Sequence, residues 1–245
     1  MSSVVKRTKR AIKRATLGWR GGLAARSPAW ARRAFGPVLT HLDMLFIDHG
    51  VLRLVYLNHH ALDDRAARSA QPAPHQIKAF AAQGIRTIVN LRGVRDCGSY
   101  WLEREACARH GIKLVDCQFR SRAAPSHEEL RRARDLFERI EYPMLMHCKS
   151  GADRAGFMSV LYKHLRQGVP IERASEQLSW RFGHIRQADT GILDHFFACY
   201  LNDNARRPLP FFEWVEKHYD PQAVTSSFAG DGWMNRLLSG ILRRE

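Results

Sequence analysis

The first 42 residues contain no acid, and nowhere in this 245-residue chain is there an apolar stretch long enough to span a bilayer. Ten cations occupy that acid-free stretch (Lys6, Arg7, Lys9, Arg10, Lys13, Arg14, Arg20, Arg26, Arg32 and Arg33), so +10 of the formal net charge of +15 belongs to it and +5 to the remainder. Such an arm is drawn to anionic surfaces. No run of seven apolar residues follows its charges before Gly36 and Pro37, which argues against a secretory signal. Interleaved aromatics and a recognisable reading module are also missing, so no specific nucleic acid is expected and an anionic membrane surface is the partner expected for residues 1–42. Cysteine is scarce. Cys97, Cys107, Cys117, Cys148 and Cys199 show no spacing suited to a disulfide framework or a zinc site. The expectation is a protein of reducing surroundings, cytoplasmic and peripheral on the inner membrane face. An Arg-rich, acid-free start is equally the composition of an organellar transit segment.

What is present divides into three. Val4 to Leu17 spaces apolar residues among Lys and Arg as a basic surface helix would, and Pro28 to Tyr56 follows as an amphipathic one. That second helix has two readings, lying in the plane of a membrane or packing on a core. From Ala61 short strands and helices alternate. Strands are expected at Arg65–Gln71, Thr87–Leu91, Lys113–Cys117 and Pro143–His147. Helices are expected at Pro74–Ala82, at Tyr100–His110 with Gly111 as its stop, and from the capping box of Ser126 and Glu129 to about Ile140. Further helices follow at Arg154–Arg166, Ile171–Phe182, Ile192–Leu201 and Phe211–His218. Gly and Ser around 226–232 loosen the chain before an amphipathic tail, Trp233–Leu242. Alternation of this kind predicts an α/β fold with a mostly parallel central sheet flanked by helices, its active site at the carboxyl ends of the strands. The expected organisation is an extension over 1–60, a catalytic domain over 61–220 and a tail over 221–245.

Residues 147–156 read His-Cys-Lys-Ser-Gly-Ala-Asp-Arg-Ala-Gly, after the apolar run Tyr142 to Met146. A strand ending in Cys148 and a helix beginning near Arg154 would turn the backbone N–H groups of Lys149, Ser150, Gly151, Ala152 and Asp153 inward, where a helix N-terminus attracts anions. The same field stabilises a thiolate, which makes Cys148 a candidate nucleophile. The planar fork of Arg154 suits two oxygens of a phosphate.

His147, Cys148, Gly151 and Arg154 match His-Cys-x-x-Gly-x-x-Arg, and on these residues the chain resembles the cysteine-dependent protein tyrosine and dual-specificity phosphatases. The runs Arg-Ser-Ala-Gln-Pro at 68–72 and Val-Asn-Leu-Arg-Gly at 89–93 are similar to the opening strands of the bacterial dual-specificity-like branch. The resemblance covers about residues 61–202. It implies a dual-specificity-phosphatase-like fold and a phosphomonoester hydrolase working through a phosphocysteine, with no metal and no cofactor. It also implies Asp116, 32 residues before Cys148, as general acid, against the alternative of a turn-forming Asp. His127, Glu128 and Glu129 are runners-up for proton transfer, and capping and dipole compensation in the first turn of a helix explain their position equally well. By the same resemblance His147 orients the loop, Gln187 positions water, and Lys149 adds charge for polyanionic substrates. Asp153 opposes that charge unless a neighbour pairs with it. Ala155 stands where many relatives place Ser or Thr, which implies either slower breakdown of the intermediate or reliance on Ser150.

Two other classes of function stay open: a phosphatase of a membrane lipid or lipid-linked phosphate, and a phosphate-binding pseudophosphatase or membrane adaptor. The expected substrates are therefore a phosphorylated protein or a phospholipid.

Overall fold

Five strands form one mixed sheet: β1 (His60–Ala61), β2 (Ala66–Ala70), β3 (Thr87–Asn90), β4 (Lys113–Asp116) and β5 (Met144–Cys148), side by side in the order β1-β2-β5-β3-β4. Only the β1–β2 pairing is antiparallel. The expected α/β fold with a mostly parallel sheet is therefore what the chain adopts. A computed structural model describes residues 29–48 and 50–229. The helix expected at Val4–Leu17, most of the basic arm and the tail Trp233–Leu242 lie outside the described residues.

Two compact units divide the chain, one of Met1–Gln118 with Glu141–Ser150 and the other of Phe119–Ile140 with Gly151–Glu245. The first holds the sheet. β5, Met-Leu-Met-His-Cys, is buried at every position, as a central parallel strand must be. Helices α3 (Pro74–Ala82) and α4 (Gly98–Arg109) supply Ile77, Phe80, Ala106 and Cys107 to a core with Ala67, Ile88, Ile112 and Leu145. Gly111 adopts φ +69° and ends α4, as expected.

The segment 28–56 is three pieces, not one helix: α1 (Ala29–Leu42), a π-turn at Asp43–Ile47, and α2 (Gly50–Val55). Asp43 draws the N-terminus of α4 against it by accepting the Gly98 N–H, and a Cβ on Gly98 would sit 2.2 Å from the carbonyl oxygen of Thr40. Of the two readings of this segment, packing on the core is the one realised around Asp43. Val51, Leu54, Val55 and Tyr56 nonetheless stay exposed.

The second unit is helical. α5 (His127–Arg139) starts at the expected capping box, with Ser126 Oγ accepting from Glu129 N at 3.1 Å and Glu129 Oε2 accepting from Ser126 N at 2.8 Å. α6 (Asp153–Gln167), α8 (Ile192–Arg206) and α9 (Phe211–Lys217) bring Phe157, Phe196, Phe197, Phe211 and Trp214 into one aromatic core, with Phe157 and Phe197 centroids 5.3 Å apart. Two expectations fail here. Ile171–Phe182 breaks into α7 (Ile171–Ala174) and two 3₁₀ turns, because Ser175 Oγ bonds back to Ile171 O at 2.7 Å and Ser179 takes an extended conformation. Of the stretch 226–232 expected to be loose, residues 226–229 belong to a helix over 221–229, and 230–232 lie outside the described residues. Asp220 caps that helix by accepting from Gln222 N at 2.8 Å, and Pro221 suits a first helical position.

Candidate active site

The register of the sheet aligns the carboxyl ends of its parallel strands. Ala70 lies beside Cys148, Ser69 and Asn90 flank His147, and Asn90 in turn lies beside Asp116. Asp116 is thus two strand spacings from the strand of Cys148, about 10 Å at the usual interstrand distance. Its carboxylate is exposed and held from two sides: Oδ1 accepts from Asn90 Nδ2 at 2.7 Å and Oδ2 from the Tyr100 hydroxyl at 2.8 Å. Burial, then the hydrogen bond to Asp116 and its charge, push the Tyr100 phenol up to about 12, so it keeps its proton at neutral pH.

Behind Cys148, itself 2% exposed, runs a buried polar chain. His147 Nε2 lies 2.6 Å from Glu103 Oε1, and its Nδ1 lies 3.3 Å from the Cys148 carbonyl oxygen. The Glu103 contact is close without being a well-aligned hydrogen bond, since neither atom finds one there. Glu103 Oε2 accepts from Gln71 Nε2 at 2.6 Å, and Gln71 Oε1 accepts from both Arg53 and Arg92. Both arginines converge on Asp48, with Arg92 bidentate at 2.6 and 2.8 Å and Arg53 at 3.2 Å. Burial by itself would raise the Asp48 carboxyl, but the hydrogen bond and charge of Arg92 and the charge of Arg53 hold it well below the usual carboxylate range. Lys149 Nζ reaches the same carboxylate at 3.6 Å. The charge expected to serve polyanionic substrates therefore already has a counter-ion, supplied by the segment that joins the π-turn to α2.

Asn58 adds a second hold on the loop. At φ +50° it occupies the left-handed region that Asn tolerates better than most residues, and its Nδ2 donates to the Ser150 carbonyl at 2.9 Å. Sequence reasoning missed Asn58, Asp48, Arg53 and Glu103, for which no local pattern signals a site. The runs at 68–72 and 89–93 support the fold more than the site in the sequence, and their Gln71, Asn90 and Arg92 make polar contacts at the strand ends.

In the helical unit the signature continues with Gly151 at φ +75°, a conformation that favours glycine, and Ala152 as the residue before α6. Asp153 and Arg154 are the first two residues of that helix, and Ala155 is fully buried. Asp153 does find its neighbour: Oδ1 is 2.7 Å from His184 Nδ1, while His184 Nε2 is 2.6 Å from Asp194 Oδ2. Burial lowers the affinity of His184 for its proton, but the two carboxylates more than compensate and push it up to about 9. Neither His184 nor Asp194 was singled out in the sequence, because 31 residues separate His184 from Asp153.

The runners-up for proton transfer have partners outside residues 147–154. Glu129 is the capping-box acid and also pairs with Arg120, Glu128 pairs with Arg132 one turn on, and the ring of His127 packs on Tyr219. Gln187 is exposed in the turn 186–188. A hollow of about 470 Å³ lined by Glu172, Ser175, Arg181, Phe182 and Arg186 carries none of the signature residues.

Comparison with known proteins gives a family. The sequence model of the family described as DSP-PTPase phosphatase fused to NAD+ kinase matches residues 57–191, more than half of the chain. Among solved structures, Tk-PTP in its active form is similar at 21% identity and TM-score 0.45, covering 62% of this chain and 99% of its own. TpbA of P. aeruginosa, in a complex with pTyr, is similar at 22% identity and TM-score 0.46, covering 60% and 91%. PTPMT1 is similar at 14% identity and TM-score 0.44, covering 61% and 99%. No curated protein matches the chain. By the family match over residues 57–191, the chain belongs to the DSP-PTPase phosphatases of the kind fused to NAD+ kinase, within the cysteine-dependent dual-specificity phosphatase superfamily.

Proposed function

We propose that the chain hydrolyses phosphate monoesters through a phosphocysteine formed on Cys148. The observation that carries this reading is local: a fully buried parallel strand ends in Cys148, and Gly151 at φ +75° turns the chain into a helix whose second residue is Arg154. In the first step the Cys148 thiolate attacks phosphorus, the bond to the leaving oxygen breaks, and Asp116 protonates that oxygen. Arg154, with the amides of Lys149, Ser150, Gly151, Ala152 and Asp153, stabilises the equatorial oxygens. In the second step water attacks phosphorus, Asp116 takes its proton, and the thiolate leaves inorganic phosphate behind. A proton on Asp116 is compatible with its surroundings, since the Tyr100 hydroxyl can accept as well as donate. His147 orients the loop, and Gln187 is kept as a weaker candidate for positioning water.

The test is hydrolysis of para-nitrophenyl phosphate by the parent chain and by Cys148→Ser. Loss of turnover with retained phosphate binding is expected, and equal rates would end the proposal.

A phosphorylated protein is the first substrate class. A lipid-borne phosphate is the second, supported by the ten cations of residues 1–42 and by the exposed Val51, Leu54, Val55 and Tyr56. No helix among the described residues is long and apolar enough to cross a membrane. In the same reading residues 1–60 form the extension that finds the surface, 61–220 the catalytic domain and 221–245 a tail. Sedimentation with anionic liposomes, with and without residues 1–28, tests it: an unchanged bound fraction would remove the lipid reading.

A further inference from the structure

We infer that His184 is a positioning residue of the phosphate loop: held as an imidazolium between Asp153 and Asp194, it cancels the charge of Asp153, so that the loop takes a phosphate well only while His184 carries its proton. This deepens the proposed function and rests on reading residues 148–154 as a phosphate cradle.

Both ring nitrogens of His184 face carboxylate oxygens, at 2.7 Å for Asp153 and 2.6 Å for Asp194. An ionised carboxylate only accepts hydrogen bonds, and a neutral imidazole has a single N–H. A neutral ring would therefore set a lone pair against one of the two acids in a site where His184 is 2% exposed. The imidazolium satisfies both.

The two acids are not equally served. Asp194 also has Arg186, whose Nε lies 3.2 Å from Oδ1, whereas the ion pair made by Asp153 is with His184. Loss of the imidazolium proton thus leaves an uncompensated carboxylate next in sequence to Arg154, where an incoming dianion would meet it. Among the described residues the charged groups against this ring are Asp153 and Asp194, with Arg186 on the other oxygen of Asp194.

The backbone around His184 is shaped for the contact. Gly183, at φ +78°, turns the chain just before His184, and a Cβ there would lie 3.8 Å from that of Ala152, so this turn packs on the loop residue preceding Asp153. Gly191 closes the turn that follows so tightly that a Cβ would fall 1.8 Å from the Arg186 carbonyl oxygen, three residues before Asp194.

The test is calorimetric titration of inorganic phosphate into the full chain carrying Cys148→Ser, which removes the thiol from the titration, at about pH 8 and about pH 10. The dissociation constant should rise about five- to tenfold between them, as a group titrating near 9 loses its proton. Adding His184→Gln should weaken binding at the lower pH and flatten the dependence. Adding Asp153→Asn to that should restore tight binding at both, with Lys149 unchanged throughout. Should His184→Gln fail to fold, Asp153→Asn alone is expected to abolish the pH dependence. Phosphate binding that ignores pH in the Cys148→Ser chain, or that survives His184→Gln unchanged, overturns the inference and leaves the cradle intact. No phosphate binding by the Cys148→Ser chain at either pH overturns the cradle itself, and the inference with it.

Discussion

Asn90 Nδ2 donates to Asp116 Oδ1 at 2.7 Å from the strand that lies between those of Asp116 and Cys148. Together with the Tyr100 hydroxyl on Oδ2, it fixes the carboxylate at the edge of the strand ends instead of leaving it to sweep through solvent. General acids contribute most where the leaving group is poor. Asp116→Asn is therefore expected to lower kcat about 10²- to 10⁴-fold on a phosphoserine peptide. On para-nitrophenyl phosphate, whose leaving group needs little protonation, the loss should be much smaller. Tyr100→Phe should show the same selectivity with a smaller effect. Equal losses on both substrates for Asp116→Asn would assign the acid elsewhere.

Asp48, which lies outside the matched family range of 57–191 as Arg53 does, brings Arg53 together with Arg92 and Lys149 from within it. Asp48→Asn leaves two buried guanidinium groups without their anion, a change expected to cost about 3 kcal/mol. Roughly 10 °C in Tm should be lost at neutral pH. Because the folded carboxyl is held below its unfolded value, the stabilisation is present above about pH 4 and fades as pH falls below it. Urea titrations of parent and variant should accordingly converge in acid. A gap that persists there would mean that packing, not charge, makes the difference.

Much of this was legible in the sequence, for reasons that separate by length scale. The capping box at Ser126 and Glu129, the stop at Gly111 and the apolar run into Cys148 are local signals, and each produced the element it announced. Asp153 was legible as a problem, a carboxylate in a phosphate loop, but His184 was not legible as its answer, because the pairing is made by tertiary folding over 31 residues. The same holds for Asp48 and Lys149. Where a local rule misled, another local rule won: Ser226 and Ser227 suggested a loose chain, while Asp220 and Pro221 had already started a helix that runs through them.

Gly98 is a position where bulk, not charge, is decisive. A Cβ there would come within 2.2 Å of Thr40 O and 2.9 Å of Met44 N, both backbone atoms unable to swing aside. Gly98→Ala should push α1 and the π-turn off the start of α4 and break the hydrogen bond from Gly98 N to Asp43. Overpacking of this kind costs typically about 1–3 kcal/mol. Limited proteolysis should then cut within 29–48 in the variant before the parent is touched. Identical digestion patterns would show that the segment tolerates the displacement.

The pair Asp153–His184 also makes stability depend on pH in the opposite sense to Asp48. His184 in the folded chain titrates near 9, above the value of about 6.5 for an unfolded histidine. Its contribution is therefore complete below about pH 6.5 and declines to nothing as pH rises through 9, and the interval corresponds to about 3 kcal/mol at most. His184→Gln keeps a hydrogen-bonding side chain but cannot carry charge, so its deficit against the parent should be largest near pH 6 and should shrink towards pH 10. Chemical denaturation at three pH values in that range measures it directly. A deficit of constant size would mean that His184 supports the fold by shape alone, with no imidazolium between the two carboxylates.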